Sequence, residues 1–180
     1  VVQGLGGSVE HAMEALNIFS EVSDAAGQAE ALRSLARTYS SQGKLATARK
    51  VAEQARATAE DAGDVVGAAL GEMVAAGILA DGGDVEGAVR LLDKAKGTFA
   101  RTSTLSGVQV FLCPHELGNA LCQLGEAHRL LGRRDLAKEA FSQAGIVFAA
   151  SEDSHGTARQ QCMMSLVYAT RTPSGAAPGG

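Results

Sequence analysis

The sequence predicts an all-α fold made of stacked helix pairs, and three observations carry that prediction. Hydrophobic residues make up 46% of the 180-residue chain, but aromatics only 4%, and there is no Trp. The core must therefore be built from Ala, Leu and Val, whose small side chains suit closely approaching helices better than a sandwich interior. The chain also repeats itself. Asp24-Ala25-Ala26-Gly27 lies over Asp64-Val65-Val66-Gly67 at an offset of 40; a second step of 40 reaches Gly107, and a step of 49 from there reaches Asp153-Ser154-His155-Gly156. Self-similarity at this period means stacked supersecondary units. Finally, every periodic segment fits a repeat of 3.6 residues better than one of 2.

The elements follow in order. Residues 1–8 read as a lead. Residues 9–26, with Met13, Leu16, Ile18 and Phe19, read as a half-repeat: a second helix without its first. In the repeat 27–66, Leu32, Leu35, Ala36 and Tyr39 follow helical spacing, Gly43-Lys44 breaks the run, and Ala48, Val51, Ala52, Ala55 and Ala59 share one face of the next helix. In the repeat 67–106, the apolar run Met73 to Ala80 leads to DGGD, where Asp84 is a helix N-cap candidate ahead of Ala88, Leu92, Ala95 and Phe99. The repeat 107–155 holds nine extra residues, placed in an insertion at 108–116, and then Leu121, Leu124, Gly125 and His128, Gly132, and Ala137, Phe141, Ala144 and Phe148. The half-repeat 156–170 is a first helix without its second, followed by a flexible Pro/Gly tail at 171–180. About eight helices are expected. The recurring glycines read as turns between them, and small residues (Ala36, Ala76, Gly125 and Ser165; Ala48, Ala88 and Ala137) mark close helix approach.

The pattern Leu32, Leu35, Ala36, Tyr39, Gly43, Ala48, Ala52, Ala55, with its shifted equivalents over roughly residues 9–170, resembles the tetratricopeptide (TPR) repeat family in a long form of about 40 residues per unit. Two departures stand out. The aromatic usual near the start of the first helix is absent, and a Gly-Asp turn replaces the closing proline. The resemblance implies a right-handed α-solenoid of antiparallel helix pairs whose first helices line a concave, partner-binding face. Carried over position by position, that face includes Arg33, Arg37, Leu70, Met73, Val74, Asn119, Gln123, Arg129, Arg159 and Met163: an apolar saddle flanked by arginines, suited to an acidic-hydrophobic segment. The same arginines would equally serve to keep a solvated face soluble. Arg37 stands where the carboxylate clamp of chaperone-binding repeats wants Asn.

Other chemistries find little support. A net charge of −4 without a dense basic stripe argues against a nucleic-acid partner. No apolar run is long enough to span a bilayer, so direct membrane insertion is not expected. GLGGS at 4–8 and DGGD at 81–84 lack the strand context of a phosphate loop, and no cofactor is expected. The four histidines lack metal-ligand spacing, and CPHE at 113–116 with Cys122 falls short of the roughly four ligands of a zinc site, so no metal is expected. Cys113 with His115 could serve as a Cys–His nucleophile only with an orienting third group, and none is evident. Three cysteines without a CxxC pair favour free thiols in a reducing, soluble compartment, a cytoplasm or organelle interior. The opening VVQGLGGS reads as that of a processed form or part of a longer protein.

The reading is a non-enzymatic interaction scaffold or assembly subunit, binding protein partners or neighbouring subunits. The alternatives are a regulatory or sensor repeat domain within a larger protein, and a cysteine-dependent enzyme. Beside the concave face, two further contact regions are expected. One is the apolar insertion, through Val110, Phe111 and Leu112, whose first reading is a buried loop or extra helical turn packed on the scaffold. The other is the open ends, through Phe19, Met164 and Val167.

Overall fold

The computed structural model describes residues 3–102 and 113–169 of the chain. They form eight helices: α1 (Gln3–Glu21), α2 (Ala25–Ser41), α3 (Leu45–Asp61), α4 (Val65–Asp81), α5 (Val85–Thr102), α6 (Pro114–Leu130), α7 (Arg134–Ala150) and α8 (Ser154–Ala169). From α2 onwards the helices begin every 20 residues, except for one step of 29 into α6. The predicted insertion therefore lies between α5 and α6. Its last residues, Pro114, His115 and Glu116, belong to the first turn of α6, where proline's missing N–H costs nothing. Val110, Phe111 and Leu112 lie outside the described residues.

One short device both ends and starts helices. Gly63 and Gly83 adopt φ of 72° and 88°, a left-handed conformation that glycine reaches without a Cβ penalty. The following N–H then reaches back to close the helix, as from Asp64 N to the Ala59 carbonyl at 2.8 Å and from Asp84 N to the Leu79 carbonyl at 2.9 Å. The same aspartate opens the next helix: Asp64 Oδ1 accepts from Gly67 N, and Asp84 Oδ1 from Gly87 N, both at 2.8 Å. Asp24 and Asp153 repeat the cap on Gly27 and Gly156. This divides the glycines into two classes. The glycine of each Asp-x-x-Gly sits within a helix's first turn; Gly27, Gly67 and Gly156 are therefore not the turns the sequence suggested. On Gly156 a Cβ would strike the Phe148 ring, and on Gly27 the Phe19 ring.

Every helix packs against its neighbours along the chain, and α2, α4, α6 and α8 also touch in succession. Among the described residues α1, α3, α5 and α7 do not touch one another. The array therefore curves, with the even-numbered (inner) helices on its concave side and the odd-numbered (outer) helices on its convex side. The core between the layers is mostly small. Ala48, Ala52, Ala55 and Ala59 of α3 are all 0% exposed, as are Ala137, Phe141, Ala144 and Phe148 of α7. Glycine on an inner helix makes room for a ring on the outer one: Phe141 lies over Gly125, and Phe148 over Gly118.

Candidate functional site

The inner helices wall a cleft of about 560 Å³ that runs from α2 to α8. Its apolar floor comes from Met73, Val74 and Ile78 of α4, Cys122 of α6 and Met163 of α8. Small side chains on α4 leave a window beside exposed Gly77, through which Ala88 and Leu92 of the outer helix α5 reach the cleft. Arg37 and Arg159 stand at opposite ends, with Asp81, Gln123 and Glu126 between them.

The rim charges are unequally compensated. Arg129 donates twice to Glu126, at 2.8 and 2.6 Å, so that pair carries little net charge into the cleft. Asp81 accepts from Ser40 Oγ at 2.8 Å. Arg37, by contrast, is exposed and makes no ion pair among the described residues; Arg159 is exposed and donates to the neutral Asn119 Oδ1 at 2.9 Å. Two cations therefore face the cleft without a carboxylate partner. Cys122 on the floor is 1% exposed, and burial pushes its thiol pKa up despite the nearby Arg159. A thiol held in this way is a packing group rather than a nucleophile.

Arg37, Met73, Val74, Gln123, Arg159 and Met163 of the expected concave set come together at the cleft. Others are placed elsewhere. Arg33 is only 5% exposed, and its Nη1 donates to the Gly67 carbonyl at 3.2 Å while Glu30 holds the rest of the guanidinium. It is a strut between α2 and α4 and does not face solvent as the sequence reading supposed. Leu70 packs on the core, and Asn119 and Arg129 serve as partners for Arg159 and Glu126. At the ends, Val167 is buried at 2% exposure, Met164 is half-buried against the core, and Phe19 is half-buried over Gly27, so none of the three presents an open apolar surface. Leu166, at 44%, and Tyr168, at 66%, are the exposed large hydrophobic side chains of α8. Sequence reasoning missed Ser40, Asp81 and the α5 window; the run Ala75-Ala76-Gly77 was the one signal for the last of these.

His115 does find a carboxylate that its sequence neighbours did not reveal. Its Nδ1 lies 2.9 Å from Asp153 Oδ2, and its ring lies 6.4 Å from that of Phe148. Asp153 also accepts from Gly156 N, and that bond, followed by His115, holds its carboxyl below the ordinary range. The pair ties the start of α6 to the turn between α7 and α8. Among the described residues no three His, Cys, Asp or Glu side chains are grouped to hold a metal ion, and no helix is long and apolar enough to cross a membrane.

Residues 7–61 match the tetratricopeptide repeat family. Among solved structures, the nearly identical TPR-like repeats of a Podosopora anserina chain named for kinesin light chain cover 92% of this chain and 78% of their own, with a TM-score of 0.62 at 18% identity. BtubC (BKLC) from P. vanneervenii covers 98% of this chain and 79% of its own, with a TM-score of 0.63 at 17% identity. At such identities the likeness is one of fold, and the fold is a TPR-like solenoid. No curated protein matches the sequence. Repeats of this type typically mediate protein–protein interactions.

Proposed function

We propose that the chain is a non-enzymatic interaction scaffold, an assembly subunit that holds an acidic-hydrophobic segment of a protein partner in its inner cleft. The observation that carries this reading is the pairing of an apolar floor with two cations, Arg37 and Arg159, that have no carboxylate of their own. Apolar side chains of the partner would supply most of the affinity by burial over Met73, Val74 and Met163. Its carboxylates would set register and direction through the arginines, whose planar guanidinium suits bidentate pairing. The cleft's one thiol, Cys122, is buried and its pKa is raised, so it is not poised as a nucleophile.

The test is a fluorescence-anisotropy titration with labelled peptides that alternate leucine with glutamate, set against the same peptides with lysine in place of glutamate. The acidic series should bind, should weaken with added salt, and should lose at least tenfold in affinity to a chain carrying R37E and R159E. Equal binding of both series, or an unaffected double variant, would show the arginine reading to be wrong.

A further inference from the structure

We infer that Gly77 is the specificity-determining position of the cleft, and that the space above it takes one leucine-sized aliphatic side chain from the acidic segment of the partner. This rests on the function proposed above and adds to it which side chain the partner must carry, and where.

Gly77 lies in the interior of α4, where glycine weakens a helix relative to alanine because its backbone loses more freedom on folding. Packing accounts for the other glycines of that helix. A Cβ on Gly71 would press on the Arg56 Cα, 3.1 Å away, and one on Gly67 would lie 3.2 Å from the Ala59 Cβ and against the Asp64 carboxyl. A Cβ on Gly77 would meet no atom within 4 Å. Of the described helix-interior glycines Gly97 alone shares this property, and it lines a different groove, between α5 and α7. No described neighbour therefore requires glycine at position 77. The repeat shows what is missing there. With the helix starts aligned, the slot of Gly77 holds Arg37 on α2, Glu126 on α6 and Leu166 on α8, all long side chains. Among the inner helices α4 alone lacks that length, and it does so in the middle of the cleft.

The walls around Gly77 say what fits. Met73 and Val74 stand one turn earlier on α4, Leu92 and Ala88 of α5 lie beneath, and among the described residues no aromatic ring lines the cleft. An aliphatic side chain placed over Gly77 leaves water and gains dispersion contacts on several sides. Leucine, which α8 itself carries in this slot, has the right size. The charges set what flanks it. Arg129 holds Glu126 and Ser40 donates to Asp81, whereas Arg37 and Arg159 have no carboxylate partner among the described residues. A leucine flanked by glutamates satisfies the slot and the arginines together.

The test is an anisotropy titration of the labelled leucine–glutamate peptide against an alanine–glutamate counterpart, on the full chain and on its Gly77→Ala, Gly77→Leu and Gly97→Leu variants. The wild-type chain should bind the leucine peptide at least about tenfold more tightly, as burial of one such side chain allows. Gly77→Leu should lose about tenfold for the leucine peptide and less than about threefold for the alanine peptide, because the introduced side chain fills the slot itself. Gly77→Ala should fall between, and Gly97→Leu should bind as the wild type does. By circular dichroism Gly77→Ala should melt no lower than the wild type, since its methyl group meets open space and replaces a helix-interior glycine. A Gly77→Leu chain that keeps the full preference for leucine, while R37E with R159E still abolishes binding, overturns this inference and leaves the cleft reading standing. So does an equal loss of both peptides in Gly77→Leu, or a lower melting temperature for Gly77→Ala. A wild-type chain that binds neither peptide, or binds whether or not the arginines are reversed, overturns the cleft reading and this inference with it.

Discussion

Replacing Arg33 with glutamate should strongly destabilise the fold, whereas the same change one helical turn later, at Arg37, should leave stability within about 0.5 kcal/mol of wild type. Arg33 is 5% exposed and donates to the Gly67 carbonyl across the α2–α4 contact. A hydrogen bond from a charged donor contributes about 1.5–3 kcal/mol. Its pairing with Glu30 adds no more than about 1 kcal/mol, because the Glu30 side chain is 58% exposed and screened. Truncation to alanine should therefore cost roughly 2–4 kcal/mol. Glutamate goes further, since it sets a carboxylate against a carbonyl oxygen and one turn from Glu30, and an uncompensated buried charge costs about 3–5 kcal/mol. Urea denaturation followed by circular dichroism measures both, with the slope checked so that a changed midpoint can be read as changed stability. If R33E and R37E were equally stable, the assignment of Arg33 as a strut would fail. If R37E were the more destabilised of the two, the identification of the inner face would fail with it.

Three more outcomes follow from the packing and the caps. Glu152 holds φ of 57° at the position where Gly63 and Gly83 sit in the other turns, so Glu152→Gly should raise stability by about 0.5–1 kcal/mol in thermal melts, as relief of left-handed strain outweighs glycine's backbone entropy; a lower melting temperature would argue against that turn. Gly118→Ala should cost about 1–3 kcal/mol by denaturant titration, because its methyl group would enter the Phe148 ring and that ring, 0% exposed, has nowhere to move; an unchanged midpoint would contradict the close approach. His128 is 8% exposed with Nδ1 unpaired among the described residues, and burial lowers its pKa, so the unfolded chain takes up a proton before the folded one does. Its contribution is complete above the ordinary value of 6.5 and falls as pH drops below it; the melting temperature should decline from pH 7.5 to 5.5, and His128→Leu, matching Leu79 in the preceding repeat, should flatten that decline, so an identical pH slope in the variant would refute the assignment.

The fold was legible because its signals are local and recur. Helical spacing of alanines and leucines, glycine at the ends of α2, α3, α4 and α6 and aspartate at the starts of α2, α4, α5 and α8 all act within one turn of chain, and their repetition removes the ambiguity of any single instance. The misreading of Gly27, Gly67 and Gly156 as turns shows where local signals end. Glycine at a left-handed cap and glycine inside a helix's first turn look alike in sequence. An aspartate three residues earlier separates them, and for Gly156 the Phe148 ring adds a tertiary reason.

The cleft was less legible for a geometric reason. Arg33 and Arg37 lie four residues apart on one helix, so their side chains differ in direction by only about 40°. That small rotation places one against α4 and the other over the cleft, and it depends on how two helices cross, which neither helix encodes alone. Val167 and Tyr168, adjacent on α8, point about 100° apart, and one is 2% and the other 66% exposed. In a solenoid with so much alanine in its core, the helices approach closely and a slight turn of one changes which residues are struts and which face the cleft. An exposed charge can change there with little loss of stability, whereas a buried one cannot. Arg37 and Arg159 can consequently change with little cost to the fold, while Arg33 is held by it.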